Sequence, residues 1–285
     1  MIISVASGKG GTGKTTLAVS LAQVARDAAY VDCDVEAPNG HIFLRPSVNR
    51  RTTAYRTVAS VDEARCTWCG KCMDACVYHA IVIAHATKRT LVFDELCTGC
   101  GVCGLVCPED AIREVDLVAG QVTDGTSDGI ATREGRMDVE APHAKPTLKA
   151  TLAALPERTV VILDAEPGVT GRVVETVRRS NVCLLVTEPT PFGRHDLEAA
   201  VAMTRHLKVP IGVLINRCDI GDESVRKFCR AEAIPVLMEI PFDRRIAAGY
   251  ADGRALLSVR SDLREGVESV LANLLRLAAK GTERC

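Results

Sequence analysis

The chain opens MIISVASGKGGTGKTT, residues 1–16, and the reading of this stretch decides the fold. Ile2–Ala6 is a short apolar run of strand length. Gly8-Lys9-Gly10-Gly11-Thr12-Gly13-Lys14-Thr15 follows it and fits G-x4-G-K-T, a loop that needs a strand before it and a helix after it. Thr15–Ala25 meets the second requirement, with Leu17, Leu21 and Val24 on one helical face. Glycines let backbone N–H groups approach and wrap phosphate oxygens, and the helix N-terminus adds its positive dipole end. Lys14 is spaced to reach the β and γ oxygens, and the Thr15 hydroxyl can ligate Mg²⁺. The whole run from Gly8 to Thr16, including Lys9, Thr12 and Thr16, is therefore the expected nucleotide contact.

Outward from this loop, a second short strand leads into Val31-Asp32-Cys33-Asp34. Fully apolar runs recur at Val160–Leu163, Val182–Val186 and Ile211–Ile215, with helical patterns between them. Such runs alternating with helices predict an α/β fold around a mostly parallel sheet covered on both faces. One interval breaks the rhythm. Asp34 to Asp164 is 130 positions, far more than a crossover needs. Residues 120–140 carry GIATREGRMDVE, which reads as a hairpin turning at Glu134-Gly135. The last helix is expected over roughly Asp262–Lys280, with Leu263, Val267, Val270, Leu271, Leu274 and Ala278 on one face. Its acidic Asp262, Glu265 and Glu268 favour packing on the sheet over lying on a membrane.

The long interval holds a repeat. Residues 66–81 read CTWCGKCMDACVYHAI and residues 97–112 read CTGCGVCGLVCPEDAI, in register at an offset of 31. Eight of the thirteen cysteines lie in these two C-x2-C-x2-C-x3-C runs, the spacing that holds two 4Fe–4S clusters. Each C-x2-C-x2-C loop supplies three thiolates, and the fourth comes from the other run. Cys66, Cys69, Cys72 and Cys107 are then the ligands of one cluster, and Cys76, Cys97, Cys100 and Cys103 of the other. Zinc is the main rival, but its sites use separated cysteine pairs. Residues 58–118 read as an inserted ferredoxin-like α+β domain, and 1–57 with 119–285 as a discontinuous nucleotide-binding domain. The repeat resembles bacterial two-cluster ferredoxins. Pro108 matches their run, while Val77 stands where a proline is expected after Cys76.

The rest of the chain resembles the MinD/ParA/nitrogenase iron protein superfamily of phosphate-loop ATPases. KGGTGKTT is similar to its deviant phosphate loop. The resemblance implies that Lys9 crosses a dimer interface to the partner's nucleotide, so that ATP binding makes a homodimer. VDCDVEAPN is similar to the strand-2 motif, which implies that Asp34 positions the attacking water and that Asp32 sits near Mg²⁺. VVILDAEPG resembles the second switch, which implies that Asp164 holds Mg²⁺ and that Gly168 senses the γ-phosphate. Lys9, Lys14, Asp34 and Asp164 are the implied catalytic set, and Thr15, Asp32 and Asp164 the magnesium set. Asn216 and Arg217, with Pro241 of EIPFDRRIAAGYADG, are implied at the base. Asn216-Arg217-Cys218-Asp219 also resembles a guanine-reading N-K-x-D, so GTP stays open beside ATP. TEPTPFGRHDL is likewise similar to members of this superfamily that carry a two-cluster ferredoxin insert.

Bulk properties set limits. A net charge of −1, from 35 basic and 36 acidic residues, offers no case for nucleic acid or membrane. No run approaches a membrane span, and MIISVASGKGG lacks the charged start and apolar stretch of a signal peptide. A cytoplasmic protein is expected, in which clustered cysteines read as metal ligands. Cys33, Cys183, Cys218 and Cys229 read as buried structural thiols, and Cys285 as exposed. His79, His85, His143, His195 and His206 show no ligand spacing. The expected function is an ATPase coupling ATP-driven dimer closure to electron transfer or metallocluster assembly on a partner protein. A redox-sensing positioning ATPase and a cluster carrier are the alternatives.

Overall fold

The computed structural model describes residues 1–282, so Cys285 lies outside the described residues. In chain order the elements are β1 (Ile2–Ala6), α1 (Lys14–Val24), β2 (Ala28–Asp32), α2 (Gly40–Leu44), β3 (Ser47–Val61), α3 (Lys71–Ala75), β4 (Ile81–Ala84), β5 (Arg89–Val92), α4 (Val102–Leu105), β6 (Ile112–Ser127) and β7 (Ile130–Met137). They continue with α5 (Lys145–Ala153), β8 (Val160–Asp164), α6 (Gly171–Arg178), β9 (Val182–Thr187), α7 (Pro191–His206), β10 (Ile211–Asn216), α8 (Ser224–Ala231), β11 (Val236–Ile240), α9 (Arg244–Ala251), α10 (Leu256–Val259) and α11 (Arg264–Thr282). The chain divides into two compact units. The first comprises Met1–Arg51, Val122–Arg136 and the chain from Leu148 onward, and the second Thr52–Gln121 with Met137–Thr147.

The first unit is built on a sheet of order β11-β10-β9-β1-β8-β2-β7-β6-β3, to which β6 contributes from Val122 and β3 up to Arg51. β1 pairs in parallel with β8 and β9, β10 with β9 and β11, and β2 with β8 and β7. The reason is legible in the strands. β2, β8 and β9 are buried at every position, and alternate residues serve opposite faces. Ile3, Val5, Leu184 and Val186 pack with α1 and α11 through Leu17, Leu21, Val267 and Leu274. Ala6, Cys183 and Leu185 pack on the other face with Val173, Leu197 and Val225 of α6, α7 and α8. Such an open sheet binds ligands beyond the carboxyl ends of its strands, where the strand order reverses. Here those ends carry the glycine loop after β1, Asp34 after β2 and Asp164 at the end of β8.

The hairpin lies elsewhere than expected. The chain turns at Asp128-Gly129, whose φ angles of 47° and 81° are both left-handed, the requirement of a two-residue turn between twisted strands. Glu134 and Gly135 are instead interior to β7, with Glu134 opposite Asp32 of β2. Gly135 is needed for packing, because a Cβ there would meet Thr151 Oγ1 at 2.0 Å. A glycine required by close approach carries the same sequence signal as a turn glycine.

The second unit has a small core. Ala59, Cys72, Ile81 and Ile83 are buried, and Trp68, Met73, Val92, Cys97, Cys103 and Ile112 pack against them. β4 and β5 form an antiparallel pair from Ile81↔Val92 to Ala84↔Arg89. Cysteines thus occupy core positions that aliphatic side chains would fill in an ordinary domain.

Candidate functional site

The glycine loop leaves β1 and closes on α1 with Gly11 at φ 80° and Gly13 at φ 91°. Gly13 is the N-cap of α1 and offers no side-chain cap, so the first amides of the helix are left for a ligand. The Thr12 hydroxyl is buried without a hydrogen-bond partner. The loop is braced from behind. Asn216 Nδ2 at the end of β10 donates to the Thr12 carbonyl (2.9 Å), and a Cβ on Gly8 would meet the Asp196 backbone of α7 at 2.6 Å. The cleft in front of the loop holds about 460 Å³ and is lined by Lys9 to Thr16, Asp34, Pro167, Asn216, Arg217 and Pro241.

Beneath the loop lies a buried charge cluster. Asp32 and Asp164 are register partners on β2 and β8. Lys14 Nζ donates to Asp164 Oδ1 at 2.8 Å. The Tyr30 hydroxyl donates to Asp164 Oδ2 (2.9 Å) and lies 3.3 Å from Asp32 Oδ2. Burial pulls the Lys14 pKa down, but Asp164, Asp32 and Asp34 outweigh it and leave it raised. Burial and then Asp164 push the Asp32 carboxyl up to about 7, against the opposing Gly40 amide and Lys14. Burial likewise raises Asp34, with Lys14 and the Ala37 amide opposing. Asp34 opens into the cleft, whereas Asp32 accepts the amides of Asp34 (3.1 Å), Asn39 (3.0 Å) and Gly40 (2.9 Å) and so shapes the loop that carries Asp34.

Several of these residues carry no motif. No motif marks Tyr30, although it lies two positions before Asp32 and so shares its face of β2. Gly40 must be glycine, because a Cβ there would meet the Tyr30 hydroxyl at 2.2 Å. Arg172, in the first turn of α6, bonds Glu36 (2.8 Å) and Glu166 (2.5 Å), joining the loop after β2 to the loop after β8. The Gly168 amide, at φ 97°, donates to the Ser7 carbonyl (2.8 Å). Lys9 pairs with Glu188 of its own chain at 3.2 Å, and Arg217 with the same carboxylate at 2.6 Å. Asp219 Oδ1 accepts the Phe242 amide (2.6 Å).

In the second unit the backbone repeats with the sequence. Trp68 and Gly99, Gly70 and Gly101, and His79 and Asp110 are all left-handed, each pair 31 apart. The Ala80 amide lies 3.3 Å from Cys76 Sγ, and the Ala111 amide 3.3 Å from Cys107 Sγ. The cysteines sort across the repeat. Cys66, Cys69, Cys72 and Cys107 line one cavity, and Cys76, Cys97, Cys100 and Cys103 another. Among the described residues no three Cys, His, Asp or Glu converge on a single ion. A cubane takes each of its four cysteines at a different iron, and both sets, with amides already directed at the sulfurs, fit that group. Cys33, Cys183 and Cys229 are buried and Cys218 partly so. Burial pushes Cys183 up to about 12 and Cys229 to about 11, which suits inert core thiols.

The family profile described as the CobQ/CobB/MinD/ParA nucleotide binding domain matches residues 3–257. The uncharacterised proteins MJ0579 and MJ0578 of Methanocaldococcus jannaschii are each 26% identical, over 95% and 96% of this chain and 96% of theirs. Among solved structures, the septum site-determining protein MinD of Pyrococcus horikoshii, complexed with Mg-ADP, superposes with TM-score 0.55 at 18% identity, covering 98% of this chain and 94% of that one. A putative plasmid partition protein of Borrelia burgdorferi bound to AMPPNP gives 0.52 at 15%, over 96% and 98%. No helix among the described residues is long and apolar enough to cross a membrane.

Proposed function

This chain belongs to the CobQ/CobB/MinD/ParA nucleotide binding domain family, and from that premise we propose that it is a Mg²⁺-dependent ATPase whose ferredoxin-like insert, residues 58–118, carries two 4Fe–4S clusters. ATP-driven closure of a homodimer is coupled to electron transfer or metallocluster assembly on a partner protein. The observation that carries the ATPase reading is Lys14, kept charged under the glycine loop by Asp164 and Asp32.

The chain's own groups divide the work. Loop amides from Gly8 to Thr15 hold the phosphates, and Lys14 turns from Asp164 to the β and γ oxygens. Asp34, in the cleft, orients the attacking water, since phosphoryl transfer depends on positioning and charge neutralisation. Thr15, Asp164 and Asp32 would hold a magnesium ion, which would supply charge neutralisation at the phosphates. Gly168 exchanges the Ser7 carbonyl for a γ oxygen. Lys9 leaves Glu188 and reaches the partner's nucleotide. The two cysteine sets hold the clusters, which supply one-electron transfer.

The test is ATP hydrolysis by anaerobically purified protein, beside its iron and sulfide content. Lys14→Ala should abolish binding of the phosphates, and Asp34→Asn should bind ATP and lose turnover. Parental turnover in Asp34→Asn would overturn its role, and preference for GTP would make Asn216 and Asp219 guanine readers. Stoichiometric zinc in place of iron would end the cluster reading.

A further inference from the structure

Tyr30 is a phenol buried where an aliphatic side chain would satisfy the sheet. Its neighbours on β2, Ala29 and Val31, are buried and apolar. Burying a hydroxyl costs free energy unless it finds a partner, and this one finds Asp164 Oδ2 at 2.9 Å. The backbone makes room for it. A Cβ on Gly40 would stand 2.2 Å from the hydroxyl oxygen, 2.3 Å from Cε1 and 2.4 Å from Cζ. The glycine is therefore needed at the polar end of the ring, and a ring packed there holds its oxygen in place.

The two carboxylates beneath the phosphate loop are not held alike. Asp32 accepts three backbone amides over both of its oxygens, from Asp34, Asn39 and Gly40, so the chain itself fixes its orientation. Asp164 depends on side chains. Among the described residues the donors to its carboxylate are Lys14 Nζ at Oδ1 (2.8 Å) and Tyr30 at Oδ2. Lys14 is the donor that nucleotide binding takes away, because the same ammonium is needed at the phosphates. Tyr30 is the one that stays. Two carboxylates paired across β2 and β8, with the Thr15 hydroxyl next to Lys14 in the chain, are an all-oxygen donor set of the kind magnesium takes.

We propose that Tyr30 is a positioning residue for magnesium. Its hydroxyl holds Asp164 by Oδ2, so that Oδ1 keeps its direction toward the place of the Lys14 ammonium after Lys14 has left it. Tyr30 acts through Asp164 alone, as outer donors to metal-binding carboxylates do. This rests on the reading of Asp164 as a magnesium residue.

The experiment compares Tyr30→Phe with the parent, both as holoprotein, by two affinities. ADP binding in chelator reports the phosphate loop. Mn²⁺ binding to the ADP complex, read from the room-temperature paramagnetic signal of free Mn²⁺, reports the metal site. Tyr30→Phe should keep the first and weaken the second about tenfold. A hydroxyl that only stabilised the fold would not separate the two. Asp164→Asn should weaken Mn²⁺ binding at least as much. The double variant Tyr30→Phe/Asp164→Asn should bind Mn²⁺ no more weakly than Asp164→Asn, since a residue acting through Asp164 adds nothing in its absence. Parental Mn²⁺ affinity in Tyr30→Phe, an equal loss of ADP affinity in chelator, or additive losses in the double variant overturn the proposal. Parental Mn²⁺ affinity in Asp164→Asn instead refutes the magnesium reading beneath it.

Discussion

Tyr30→Phe isolates the device beneath the phosphate loop. The ring is buried and abuts Gly40, so the substitution keeps the packing and removes only a hydroxyl. That hydroxyl is 2.9 Å from Asp164 Oδ2 and 3.3 Å from Asp32 Oδ2, two carboxylates that one ammonium, Lys14, serves from within the cluster. A hydrogen bond to a charged acceptor is worth about 1.5–3 kcal/mol, and its loss leaves a buried oxygen short of a donor. At roughly 2–4 °C per kcal/mol in a domain of this size, we expect melting about 3–12 °C below the parent in chelator at pH 8. Below pH 6 Asp32, raised to about 7, is protonated. The hydroxyl's single proton stays directed at Asp164 Oδ2 (2.9 Å), so the deficit should persist. Thermal unfolding at the two pH values decides the matter. A melting point within a degree of the parent at pH 8 would refute the view that this hydroxyl stabilises the paired carboxylates.

Other consequences are open to measurement. Cys107→Ser should damage the cluster of the first cysteine run, although it lies in the second, with iron falling from about eight to about four per chain; loss of signal from Cys97, Cys100 and Cys103 instead would contradict the crossed pairing. Asp32 has a folded-state pKa raised above its unfolded value, so its contribution is full below about pH 4 and is lost as pH rises through about 7. Apo stability in chelator should therefore fall over that window by an amount that Asp32→Asn removes, and identical pH profiles would refute the assignment. Glu188→Gln frees Lys9 and Arg217 and should shift ATP-dependent dimerisation to about tenfold lower protein concentration, read by light scattering; an unchanged midpoint would show that the pairing in one chain does not oppose closure.

Local chemistry by itself determined the α/β architecture and the nucleotide-binding loop. Fully apolar runs specify strands buried on both faces, and G-x4-G-K-T specifies a strand–loop–helix because no other backbone presents so many amides to phosphate. The spacing of the cysteine runs specified the repeat, which the left-handed pairs at 68/99, 70/101 and 79/110 reproduce. What tertiary structure decided are the relations between distant segments. Tyr30 is an ordinary strand residue until β2 and β8 lie in register and bring Asp32 beside Asp164. Gly135 reads as a turn until α5 packs on it, and Lys9 reads as free until Glu188, after β9, meets it. Periodicity and spacing report what a segment needs from its immediate surroundings. Which buried charge faces which depends on contacts between segments far apart in the chain, and no local pattern encodes them.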